Sequence, residues 1–172
     1  MFAPPRSALS HPAYGWGAFL MFASAITVLV ALGFEHIGGY VPCPLCLQER
    51  YAYYAGVPLA FAALVAGGLG AWRFAGVLFG LVAIGFLINT GLGVYHAGVE
   101  WKWWPGPETC SGALMPLGQG GLLGSLQTTR VIRCDEAPWQ FAGLSFAGWN
   151  AVISLILAAV ALRATASALK GE

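Results

Sequence analysis

The chain has 172 residues, 58% of them hydrophobic and only 9% charged, with a net charge of +1. Soluble proteins carry roughly a quarter charged residues, so the composition excludes an ordinary water-soluble domain. Near-neutrality leaves no footprint for nucleic acid or for a polyacidic partner. The main solvent of this chain is lipid, and its length gives room for a single integral membrane domain over residues 1–172.

Four apolar runs without a charged residue appear in chain order, at about 16–34, 51–69, 74–94 and 141–162. Each approaches the roughly 20 residues a helix needs to cross a bilayer core. The first follows Arg6 and contains the small residues Ala23, Ser24 and Ala25, as a cleaved leader would. It is longer than a usual signal core and stays apolar beyond them, so it is expected to remain as a permanent span. The expected fold is an all-α membrane protein, a bundle of four transmembrane helices with both termini on one side.

The connections then have fixed sides. Residues 70–73 make a tight turn, whereas loops at about 35–50 and 95–140 emerge together on the opposite side. Those two loops hold all four cysteines, Cys43, Cys46, Cys110 and Cys134. Lysine and arginine divide evenly between the sides, with Arg6, Arg73, Arg163 and Lys170 facing Arg50, Lys102, Arg130 and Arg133. Short loops and flanks weigh most in the positive-inside rule, which puts Arg73 and the tail in the cytoplasm. An even number of cysteines on one face suits an oxidising compartment, so both cysteine loops are expected to be extracytoplasmic. Six of the seven tryptophans, Trp16, Trp72, Trp101, Trp103, Trp104 and Trp139, fall at expected helix ends or in the long loop, where amphipathic rings anchor at the interface.

The stretch "PCPLCLQER", residues 42–50, carries the chemistry. Cys43 and Cys46 precede the second helix, and Pro44 suits a first helical turn. A cysteine held at a helix N-terminus has its thiolate stabilised, which makes it a good leaving group and a competent nucleophile. Arg50 lies four residues after Cys46, on the same face if the helix has begun. A fixed cation there serves a thiolate or a carbonyl that gains charge, and Glu49 is its bland partner. Cys110 and Cys134 enclose a glycine-rich, apolar segment, residues 111–133. That pair suits either a mobile redox couple or an ordinary structural disulfide. Two couples on one face make a relay geometrically feasible, from an external dithiol to an acceptor dissolved in the bilayer, for which a two-electron quinone is chemically apt. Four cysteines also suit zinc, but the second pair is not a CxxC; no resident metal is expected. Leu47 after the second cysteine excludes haem attachment.

Three blocks, "CPLCLQER", "YHAGVEWKWWPGPETC" and "CDEAPWQFAGLSFAGWN", together resemble the disulfide bond formation protein B (DsbB) family. The resemblance covers all four expected helices and both loops. It implies a multi-pass protein of a bacterial inner membrane, a thiol:quinone oxidoreductase that reoxidises a DsbA-like periplasmic thioredoxin-fold protein. It also implies a periplasmic active site, cytoplasmic termini, and ubiquinone or menaquinone as acceptor. By the same resemblance, Cys110 is attacked by the partner to give a mixed disulfide, Cys134 is released to attack Cys43, and Cys46 becomes the thiolate facing quinone. Arg50 and His96 match positions beside the quinone, whereas Glu49 and His36 receive no role. The vitamin K epoxide reductase type also has four helices, a CxxC and a loop pair, but there the CxxC comes late in the chain. A non-enzymatic membrane protein with structural disulfides is the alternative of a different class.

Overall fold

A computed structural model of the protein describes residues 10–107 and 134–170. Four helices long and apolar enough to cross a membrane dominate it. They are α1 (Pro12–His36), α2 (Pro44–Gly68), α3 (Trp72–Glu100) and α4 (Phe146–Lys170). The expected four-helix membrane bundle is therefore present.

Local sequence explains where α1 and α2 start. Pro12 occupies the first turn of α1, where its missing N–H costs nothing, and the His11 ring accepts the N–H of Ala13 at 3.2 Å. Pro44 plays the same part in α2, behind Cys43 as the capping residue. The second helix therefore begins at Pro44 rather than near 51 and takes the whole CxxC motif into its first turn. Hydropathy alone missed this because Gln48, Glu49 and Arg50 interrupt the apolar run without interrupting the helix. Helix α3 likewise continues through Glu100, beyond the apolar run that ends at Val94.

The fourth run is displaced at its start. Residues 140–145 form a minimal antiparallel hairpin, with Gln140 opposite Ser145 and Phe141 opposite Leu144. Ala142 and Gly143, at φ of 51° and 80°, make the two-residue left-handed turn that such a hairpin requires. That turn prevents a helix from starting at Phe141. Ser145 then accepts the N–H of Gly148 at 3.2 Å and caps α4, while its hydroxyl donates to Glu100 at the end of α3.

The helices are arranged in a ring: α1 packs on α2 and α4, and α3 also packs on α2 and α4, its interface with α4 being the most extensive. Large side chains such as Phe22, Leu29, Phe61 and Ile88 point outward. Small ones fill the α4 seam, where Ala147, Ala151, Ser154, Ala158, Ala161 and Ala168 are buried at near-heptad spacing. This is the expected arrangement in lipid, where apolar side chains gain little by leaving the acyl chains and close backbone approach gives the attraction. Gly93 of α3 lies so close to α4 that an added Cβ would sit 3.0 Å from the Ala151 amide nitrogen. Inside the bundle, Tyr53, Asn89, Asn150 and Ser154 form a polar cluster. The Tyr53 hydroxyl donates to Asn150 Oδ1 at 2.8 Å, and the Asn89 amide donates to Asn150 Oδ1 at 3.2 Å and to Ser154 Oγ at 2.9 Å.

Gly93→Leu must therefore push α3 away from the backbone of α4. The expected loss is about 1–3 kcal/mol of stability, as for other overpacked cores, read as a lower thermal midpoint in detergent.

Candidate active site

Cys43 is the N-cap of α2, and its Sγ accepts the backbone N–H of Cys46 at 3.3 Å. The sulfurs of Cys43 and Cys46 are 3.0 Å apart, within hydrogen-bonding contact, and both thiols are free. The ring of His96, from the far end of α3, brings Nε2 to 3.5 Å from Cys43 Sγ. Its Nδ1 faces Glu49 Oε1 at 2.8 Å. His96 and Glu49 are 2% and 6% exposed, so this carboxylate, imidazole and thiol are aligned out of water. The contact with Cys46 is the main influence holding the Cys43 thiol down, at a pKa of about 4; burial opposes it, and His96 adds to it.

The helix-terminal stabilisation expected for the pair thus acts on Cys43. The reason is geometric. In a CxxC motif that opens a helix, the first cysteine is the capping residue that faces the unpaired N–H groups. Cys46 instead lies in the wall of a cavity of about 390 Å³ between α1, α2 and α4. Apolar and aromatic side chains, including Phe34, Tyr40, Trp139, Phe146 and Ile153, enclose most of it. They brace one another: the Trp139 and Phe146 rings stack at 4.7 Å between centroids, and Phe34 meets Phe146 edge-on at 5.0 Å.

Cys46, Glu49, Arg50 and Tyr53 of α2 all reach this cavity. Their spacing of three, four and seven residues is one helical face. Arg50 does not pair with Glu49. Its guanidinium donates to Glu35 of α1, which also lines the cavity, while Glu49 turns to His96. Neighbouring helical residues project about 100° apart, so sequence adjacency was a poor guide to pairing. His96 matched a family position beside the acceptor, yet it is not among the residues lining the cavity and stands behind Cys43 instead.

The polar cluster touches the same cavity through Tyr53 and Asn150. Asn150 Oδ1 accepts from Tyr53, Asn89 and Ser154, and its buried Nδ2 has no hydrogen-bond partner among the described residues. The sequence carried a signal for this group, since two asparagines inside apolar runs are costly in lipid and face the bundle interior.

Cys134 is buried and disulfide-bonded. It packs in one cluster with Cys43, Leu45 and Val99, which brings three of the four cysteines to one end of the bundle. Cys110 lies outside the described residues.

Residues 14–164 match the family described as disulfide bond formation protein DsbB. The chain belongs to the DsbB family. This DsbB family member is 28% identical to Disulfide bond formation protein B of Paracidovorax citrulli over 155 residues, covering 83% of the chain and 82% of that relative. The protein of the same name from Aromatoleum aromaticum is 31% identical over 141 residues, 74% of this chain and 77% of the relative. That from Pasteurella multocida is 31% identical over 145 residues, 78% and 76%. No solved structure matches the chain. Family and helices together make it a multi-pass membrane protein of disulfide bond formation.

With its thiol held down, Cys43 is a thiolate above about pH 4 and is protonated below it. In a Cys110→Ser/Cys134→Ser background, thiolate ultraviolet absorbance of the reduced protein should persist to about pH 5 and disappear with a midpoint near 4. His96→Leu should move that midpoint upward, because the imidazole favours the anion.

Proposed function

We propose that this protein is a thiol:quinone oxidoreductase of a bacterial inner membrane, reoxidising a DsbA-like periplasmic dithiol oxidase. The reading is carried by one observation: Cys46 and Arg50 share the wall of an apolar cavity at the end of the bundle where Cys134 packs beside Cys43. In this reading that end is periplasmic and both termini are cytoplasmic.

The residues of the cavity fit a quinone. Its aromatic lining suits a flat ring, Arg50 offers a fixed cation, and the buried Asn150 Nδ2 lacks the acceptor that a carbonyl oxygen would supply. A bound ubiquinone or menaquinone would take up two electrons and two protons per turnover.

The protein's own steps then follow from thiol–disulfide exchange. A partner thiolate attacks Cys110 of a Cys110–Cys134 disulfide, forming a mixed disulfide and releasing Cys134. The partner's second thiol displaces Cys110 and leaves oxidised. Cys134 attacks Cys43, breaking the Cys43–Cys46 bond and releasing the Cys46 sulfur at the cavity. Cys110 then reforms the loop disulfide, leaving Cys43 and Cys46 as a dithiol. Two electrons and two protons have by then moved from the partner to the CxxC pair. In the resulting pair the charge rests on Cys43, and the short contact between the two sulfurs shares the remaining proton with Cys46, whose sulfur lies in the cavity wall with Arg50. His96, backed by Glu49, holds the balancing charge against Cys43. Glu35 positions the Arg50 guanidinium from α1.

Purified protein in detergent, mixed anaerobically with ubiquinone-1 and a reduced DsbA-like protein, should deplete quinone absorbance catalytically. Cys46→Ser and Cys110→Ser should each reduce this to the uncatalysed rate. Absence of turnover in wild-type protein, with active partner and both disulfides intact, would overturn the reading.

Trp139 and Trp149 line the cavity, so quinone binding should quench tryptophan fluorescence. Asn150→Leu should weaken ubiquinone-1 binding by about 3- to 10-fold, the loss of one neutral hydrogen bond of about 1 kcal/mol. Unchanged affinity would remove Asn150 from the site.

A further inference from the structure

The donor atoms of Cys43, Cys46 and His96 all lie within 4.8 Å of one another. We infer that the reduced CxxC pair and His96 form a capture site for one thiophilic divalent cation of the zinc type, and that capture holds the protein in its dithiol state. This is not the four-cysteine set that composition alone brings to mind, because the third ligand is an imidazole from α3.

Geometry supports it first. Tetrahedral zinc with Zn–S of about 2.3 Å and Zn–N of about 2.0 Å needs its sulfurs about 3.8 Å apart and each sulfur about 3.5 Å from nitrogen. Cys43 Sγ and His96 Nε2 already stand at 3.5 Å. The two sulfurs, at 3.0 Å, need to part by less than about 1 Å. A rotation of the Cys46 side chain supplies that movement, since Cys46 borders the cavity.

The surroundings of His96 are the second support. Glu49 Oε1 stands 2.8 Å from Nδ1 and orients the ring with Nε2 toward the thiols, so that loss of the Nε2 proton bares its lone pair to the cation. A carboxylate behind a histidine is the usual arrangement of a metal-ligating imidazole, where it orients the ring and raises its basicity. Two thiolates with one imidazole select zinc-like cations over magnesium or calcium. Three protein ligands leave a fourth position, and the cavity beside Cys46 gives water or a small anion access to it.

Capture and oxidation exclude each other. A disulfide requires the sulfurs at about 2.05 Å, whereas the bound cation holds them about 3.8 Å apart. Binding transfers no electrons; it displaces the remaining thiol proton and the Nε2 proton of His96 to solvent. The cation would therefore stop turnover at the reduced stage. That consequence rests on the proposed oxidoreductase function, whereas the binding itself does not.

The test uses full-length Cys110→Ser/Cys134→Ser protein in detergent, reduced with a phosphine and titrated anaerobically with Cd2+. A thiolate-to-cadmium charge-transfer band should saturate at one equivalent per chain, and Zn2+ should bleach it by competition. After oxidation of the Cys43–Cys46 pair the band should be absent. Glu49→Gln should weaken Cd2+ binding by about 10- to 100-fold, and His96→Leu should weaken it further. No band, an equal band in oxidised protein, or unchanged affinity in Glu49→Gln protein with a wild-type melting temperature would overturn the site. For the consequence, wild-type protein is reduced by its partner and given Zn2+ before ubiquinone-1. Quinone reduction should stop and return on addition of a chelator. Full-rate reduction in saturating Zn2+ would refute the block, whereas a failure of wild-type protein to reduce quinone at all strikes the oxidoreductase reading and leaves the cadmium result standing.

Discussion

The contact on which the rest depends is the one between Cys43 Sγ and the N–H of Cys46. It caps a helix and places a redox couple with the same atoms. Any capping residue would satisfy an unpaired N–H at the start of α2, but a sulfur there gains negative character. The helix then carries Cys46 one turn inward to the cavity wall. Pro44, without an N–H to satisfy, keeps the first turn helical between the two cysteines. Structure and chemistry at this site cannot be separated by substitution: replacing Cys43 removes a cap as well as a nucleophile.

The bundle around it uses interior space sparingly. Small residues of α4 let its backbone approach α3 closely, and Gly93 sits directly against the Ala151 backbone. That closeness delivers His96, three residues beyond Gly93, to the start of α2, and Asn89, four residues before it, to Asn150 and Ser154. One face of α3 thus supplies a buried imidazole to the CxxC and a buried amide to the polar cluster. A bulky residue at the seam would disturb both, although neither lies in the α3–α4 backbone contact itself.

Much of this was readable from residue order. Charge-free runs marked four spans because lipid leaves the backbone no partner but itself, and proline with paired cysteines marked a reactive helix start. What escaped was whatever depends on rotation about a helix axis or on contacts between distant segments. Arg50 was given Glu49 because they are neighbours, but it reaches back to Glu35 across the α1–α2 connection. The start of α4 was placed at Phe141 because its residues are apolar, but two left-handed residues at 142 and 143 turn the chain before the helix begins. Asn89 and Asn150 were visible as polar residues in apolar surroundings, yet only the bundle brings them together.

The exchange of partners between Glu35, Glu49 and Arg50 has a physical logic. If Arg50 paired with Glu49, the cation would be neutralised on its own helix and His96 would lose the carboxylate that orients its ring. With Glu35 supplied from α1, both acidic groups and both basic groups have partners, and each pair flanks a different sulfur. The Glu49–His96 pair stands behind Cys43, and the Glu35–Arg50 pair shares the cavity wall with Cys46. An isolated charge at this depth is costly, whereas two pairs leave the region nearly neutral before electrons arrive. Negative charge then appearing on either sulfur meets a positive partner already in place, so stabilisation needs little reorganisation at the moment of transfer. Splitting the charges between two sulfurs also lets the two ends of the pair differ in reactivity, which a single shared ion pair could not achieve.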